Sequence, residues 1–246
     1  MHRFANPARF LRIANAVYPW LVAATFLLMA AGLWFALFDS PPDYQQGDSV
    51  RIMYIHVPSA WMGMFCYTAM AVFSAMALIW KHPLADLLAR ATAPIGAGFT
   101  FVCLVSGSLW GKPMWGAYWV WDARLTSMLI LFFLYLGYMA LANAFDDPIR
   151  GQKAAAILAV AGFVNIPIIK FSVDWWHTLH QPSSFSLFAA KHSDIAPSML
   201  LPLGLMALAC QTYYFMVLIL RARAEIASAK IRTIRMAQVH AAGGGE

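Results

Sequence analysis

The chain has 246 residues, 61% of them hydrophobic and only 11% charged, with a mean hydropathy of +0.63. Soluble domains run at about 45–50% apolar and about 25% charged, so this chain lacks the polar surface to coat a globule. A soluble enzyme, a disordered regulator and a nucleic-acid reader are all poor fits. The net charge of +6 does not restore nucleic acid as a partner, because the basic residues sit at the ends of apolar runs, as orientation signals do.

Six apolar runs, at about 17–38, 58–80, 91–109, 125–145, 154–171 and 198–220, approach the ~20 residues needed to cross ~30 Å of hydrocarbon. The first is too long for a signal-peptide core and shows no cleavage site, so it reads as an uncleaved span. Without repeats or low-complexity linkers, residues 1–246 read as a single all-α integral membrane domain with six transmembrane helices. Twelve basic residues fall on one side: Arg3, Arg9, Arg12, Lys81, Arg90, Arg150, Lys153, Arg221, Arg223, Lys230, Arg232 and Arg235. The other side has Arg51, Lys112, Arg124 and Lys191, with Lys170 at the end of a span. By the positive-inside rule both termini are cytoplasmic. Residues 221–246 form a basic cytoplasmic tail, placed first on anionic membrane lipid and second on a partner.

The span interiors are informative by omission. No Asp, Glu, Lys or Arg lies mid-span, which speaks against ion-coupled transport and proton pumping. Cys66, Cys103 and Cys210 stand singly in apolar segments and read as small buried side chains. Gly107–Pro113 reads G-S-L-W-G-K-P, one residue short of a phosphate-binding loop and with proline where the magnesium-binding hydroxyl belongs.

The outer segments 39–57, 110–124 and 172–197 hold the chemistry. Residues 110–124 read W-G-K-P-M-W-G-A-Y-W-V-W-D-A-R, with four of the ten tryptophans inside twelve residues. A short interfacial helix over 115–122 would align Trp115, Trp119 and Asp122 on one face. One tryptophan here is explained by the interfacial aromatic belt. Four of them, flanked by Lys112 and Arg124, suit a large, flat, apolar ligand with an acidic edge. Asp122 is also placed to cap the fourth span.

His56 stands in Y-I-H-V-P, where Pro58 as first helical residue puts it at the outer mouth of the second span. His180 stands in W-W-H-T-L-H-Q-P, ahead of the sixth span. Two imidazoles approaching a porphyrin from opposite sides would hold its iron six-coordinate. His177, one turn before His180, is an alternative ligand, and His192 reads as solvated. No nucleophile or general-base constellation demands an enzyme.

The run Trp115-Gly116-Ala117-Tyr118-Trp119-Val120-Trp121-Asp122, with Arg124 following, matches the W-G-x-x-W-V-W-D signature of membrane proteins that handle haem in c-type cytochrome assembly. With the six spans, the flanking G-K-P-M, Y-I-H-V-P and W-W-x-T-L-H, the chain resembles the haem exporter protein C family of the bacterial cytochrome c maturation system, from about Tyr18 to the sixth span. The resemblance implies a haem platform of Trp115, Trp119, Trp121 and Asp122 and axial ligands His56 and His180. It sets Arg51 and Arg124 beside the haem. It further implies haem b as a non-covalent, transient cargo, delivered to a periplasmic haem chaperone from the bacterial inner membrane. The expected companions are an ATP-binding cassette haem-release complex and a small single-span membrane subunit. Two other functions compete with this expectation: a permease conducting haem or another solute through the bundle, and a scaffold whose tryptophans recruit partners.

Overall fold

The structure is a computed structural model and describes residues 7–180 and 195–243. Among these described residues seven α-helices follow in chain order: α1 (Pro7–Trp34), α2 (Met53–Trp80), α3 (Pro83–Trp115), α4 (Ala123–Asn143), α5 (Pro148–Gly162), α6 (Asn165–Trp175) and α7 (Pro197–Gly243). A π-helical turn, Phe35–Asp39, ends α1, and a 3-10 turn, Asp48–Ile52, feeds α2. Among the described residues six helical stretches are long and apolar enough to cross a membrane, the fifth being α5 and α6 together, Pro148–Trp175. Among the described residues the only β geometry is an isolated bridge between Asp43 and Gly47.

Two local expectations are corrected. Helix α2 begins at Met53 rather than Pro58, because the 3-10 turn already supplies its opening carbonyls: Met53 N–H donates to Val50 and Arg51. Pro58 therefore lies in the second turn, and His56 is a helical residue rather than a flanking one. Nor is 115–122 a helix. Gly116 adopts φ +76°, the left-handed conformation that glycine takes without strain, and its N–H donates to the Lys112 carbonyl at 3.1 Å. This closes α3 at Trp115 and leaves 116–122 irregular. Trp110 and Trp115 ride on the last turns of α3, whereas Trp119 and Trp121 do not share a helical face with them.

The next helices start on side-chain caps. Asp122 Oδ1 accepts from Leu125 N–H at 2.8 Å to begin α4, and Asp147 Oδ1 accepts from Ile149 N–H at 2.9 Å to begin α5. The fifth span breaks at Phe163–Val164. There the side chain of buried Asn165 donates to the Ser127 carbonyl on α4 at 2.9 Å.

Small residues set the packing. A Cβ on Gly96 would fall 2.1 Å from the Tyr135 hydroxyl, and one on Gly162 would fall 2.2 Å from that of Tyr67. Tyr135 uses this room to donate to the Gly63 carbonyl at 2.7 Å. Tyr67, Tyr135, Tyr138 and Tyr214 are all fully or almost fully buried and fill the middle of the bundle. Cys66, Cys103 and Cys210 are buried and unpaired, as their isolated positions indicated. At 1.5 Å per residue, the 47 residues of α7 extend about 70 Å. The basic tail is thus, as far as Gly243, a continuation of the last membrane helix.

Candidate functional site

Where α3 ends and α4 begins, the helices part around a cavity of about 590 Å³, inside the ~300–1,000 Å³ range of ligand sites. His56, Trp61, Trp110, Trp115, Trp119 and His180 are in its wall, with Arg124 and Lys170 contributing cationic side chains.

His56 is the fourth residue of α2, and its ring reaches across to α3. Its Nδ1 lies 3.0 Å from the Cys103 carbonyl and 3.1 Å from Ser106 Oγ. A carbonyl only accepts, so Nδ1 carries the proton and Nε2 keeps its lone pair. The approach depends on Gly107, where a Cβ would stand 2.7 Å from His56 Cε1. Trp110 meets the imidazole edge-on with ring centroids 5.7 Å apart, and its own N–H donates to Gln46 Oε1 at 3.0 Å.

His180 reaches the cavity from the irregular segment after α6. Its Nδ1 lies 3.2 Å from Asp122 Oδ2, which also accepts from the Thr178 hydroxyl. Burial pushes the Asp122 carboxyl upward, but the Leu125 N–H, Thr178 and His180 together outweigh it and hold it below the usual carboxylate range. Burial also dominates at His180. It pushes the imidazole below 6.5 despite the opposing charge and hydrogen bond of Asp122, with Arg124 adding to the fall. The pair is therefore an ionised carboxylate and a neutral ring whose Nδ1–H donates to it. Again Nε2 is the nitrogen left with a lone pair, and Trp115 packs edge-on at 4.9 Å. Each histidine has one nitrogen fixed by the protein and the other unprotonated, the arrangement of imidazoles that bind metal.

A family model described as heme exporter protein C matches residues 1–237. The chain belongs to the haem exporter protein C family. It is 53% identical to heme exporter protein C of Bradyrhizobium diazoefficiens over 234 residues, 95% of this chain and 88% of that protein. It is 47% identical to that of Haemophilus influenzae over 226 residues, covering 92% and 91%. With the Escherichia coli K12 protein of the same name it shares 48% identity over 203 residues, covering 82% and 81%.

In this member of the haem exporter protein C family, the residues singled out in the sequence separate into groups. His56, His180, Trp115, Trp119 and Arg124 are in the cavity wall. Asp122 is not, and acts behind His180 instead. Trp121 is 76% exposed and stacks edge-on against Trp119 at 5.5 Å, outside the cavity. Arg51 also lies outside it. Its guanidinium donates to the Ala36 and Leu37 carbonyls at 2.8 and 2.7 Å and pairs with Asp48 at 3.1 Å, tying the end of α1 to the turn before α2. His177 is exposed and absent from the wall. His192 falls outside the described residues.

Sequence reasoning missed Gly107, Trp61 and Lys170. Gly107 stands four residues after Cys103 and one after Ser106, so helical spacing alone sets all three near one another on α3. The Asp122–His180 contact joins residues 58 apart in sequence and has no local signal. Finally, the Trp119 indole N–H is buried with no hydrogen-bond partner among the described residues. A buried donor left so costs about 1–3 kcal/mol, and a bound acidic group at this wall would satisfy it.

Proposed function

We propose that the protein binds haem in this cavity, with iron between Nε2 of His56 and Nε2 of His180, and presents it at the periplasmic face of the inner membrane to a haem chaperone. The pair of imidazoles with Nδ1 committed and Nε2 unprotonated in one tryptophan-walled cavity carries the reading. Trp115 and Trp119 are the apolar faces for the macrocycle, and Arg124, with Lys170, is the partner for its propionates. Haem b is cargo here, held without a covalent bond, and the side chains bind, orient and shield it. The basic residues on the opposite side of the spans support the periplasmic orientation. The family name supports a place beside the ATP-binding cassette complex and small membrane subunit of cytochrome c maturation. The tyrosines filling the bundle favour exchange at one face over conduction through its middle.

The test is the visible spectrum of the detergent-purified protein with haem added. A sharp Soret band and resolved reduced α and β bands are expected. A protein that stays colourless would leave the tryptophans as a docking surface for a partner.

Two further outcomes separate site from scaffold. Trp119→Ala weakens haem retention while the protein stays folded in the membrane, whereas Trp121→Ala leaves retention near wild type; haem-to-protein ratios after purification measure both. Gly107→Ala, which keeps both proposed ligands but sets a Cβ against the His56 ring, displaces that ring and lowers haem affinity by about 10–100-fold, the usual cost of losing support behind a metal ligand. Spectrophotometric titration reads the change, and unaltered affinity would remove Gly107 from the site.

A further inference from the structure

A second concavity, of about 400 Å³, lies between α3 and α4. Phe101, Val105 and Leu109 line it from α3, and Leu129, Phe132 and Phe133 from α4. These residues stand 6 to 14 positions before the end of α3 and 6 to 10 after the start of α4. At 1.5 Å per residue they lie about 9–21 Å from the helix ends. Phe101, Val105, Leu109 and Phe133 are exposed apolar side chains. The groove therefore opens to hydrocarbon rather than to water.

Three residues belong to both the groove and the cavity: Leu104, Ser108 and Trp119. A single layer of side chains separates the lipid from the site. Leu104 and Ser108 are fixed on α3, but Trp119 sits on the irregular segment 116–122. Ser108 Oγ ties that segment down by donating to the Tyr118 carbonyl at 2.8 Å. Among the described residues the Trp119 indole N–H has no partner holding it in place. The wall is thinnest, and least anchored, at the indole.

We propose that the α3–α4 groove is a lateral port through which haem passes edge-on from the outer leaflet into the cavity, with Trp119 as the movable part of the wall. This rests on the haem-binding reading. A flat, largely apolar macrocycle dissolves in hydrocarbon and fits a slot lined by Phe, Val and Leu. Its carboxylates keep to the interface, where Arg124 stands at the cavity.

The experiment uses the full chain in liposomes, with haem supplied either dissolved in the bilayer or from an aqueous albumin complex, and follows growth of the Soret band. Val105→Trp and Leu129→Trp fill the groove without touching the cavity, and Val105→Phe is a milder filling. Loading from the bilayer is expected to slow about tenfold, equivalent to ~1.4 kcal/mol on a barrier. Loading from water and the final spectrum should match wild type, which also reports correct folding. Wild-type rates from the bilayer in every filled variant, with a normal final spectrum, would overturn the port and leave haem binding intact. A wild type that takes up haem by neither route would overturn both.

Discussion

His56→Ala and His180→Ala are each expected to strip the protein of firmly bound haem and to stop delivery to the chaperone. In the proposed site either change removes one of two axial nitrogens, so residual haem would become five-coordinate and its sharp reduced α and β bands would broaden. The loss should exceed the about 10–100-fold that follows removal of a group behind a ligand, because the bond to iron itself is gone. His177→Ala should behave as wild type, since His177 is exposed and away from the cavity. Haem content after purification, the reduced spectrum and the amount of c-type cytochrome formed are the measurements. Sharp bands and normal cytochrome in both single variants would end the ligand assignment. Loss of haem in His177→Ala instead of His180→Ala would move the lower ligand by three residues.

The second large effect concerns Asp122. Its Oδ1 starts α4 and its Oδ2 holds His180. Asn is as good an N-cap as Asp, so Asp122→Asn keeps the helix start and removes the charge. Haem affinity near pH 7 is expected to fall by about 10–100-fold with the protein still folded. Asp122→Ala should in addition cost about 1 kcal/mol of stability through the lost cap.

A pH series separates orientation from mere disturbance. Burial keeps the His180 imidazole below 6.5, so protons compete with iron only at lower pH. Retention should be flat from pH 8 to 6.5 and fall as the pH drops through the depressed value. Asp122 opposes that depression, so without its charge the imidazole titrates lower still. Acid release in Asp122→Asn should therefore shift to lower pH even though affinity at neutral pH is weaker. A shift to higher pH, or none, would count against a direct role behind His180.

The six spans were legible because each is a long apolar run, and the tryptophans and histidines because they crowd into short stretches at or beyond the span ends. Boundaries were less so. Pro58 looks like a helix start, but Asp48–Ile52 had already begun to coil, a tendency of a polar stretch that hydropathy does not register. Gly116 was readable as a stop signal inside the tryptophan run, yet an expected i, i+4, i+7 stripe ran straight over it. Cross-chain contacts were hidden altogether. Arg51 and Arg124 are both basic residues flanking spans. Only tertiary placement sends one guanidinium to the carbonyls ending α1 and the other to the cavity. Trp121 and Trp119 differ in the same way, two residues apart.

The two histidines stand on mounts of unequal stiffness. His56 is part of a continuous helix wedged against Gly107 and Ser106 of α3, so its ring moves only if two packed helices do. His180 lies on irregular backbone five residues past the eleven-residue α6, which is itself separated from α5 by the break at Phe163–Val164. It is steadied by Asp122 and Thr178. A pull applied to an object clamped between a rigid post and a compliant one stretches the compliant side, and that grip opens first.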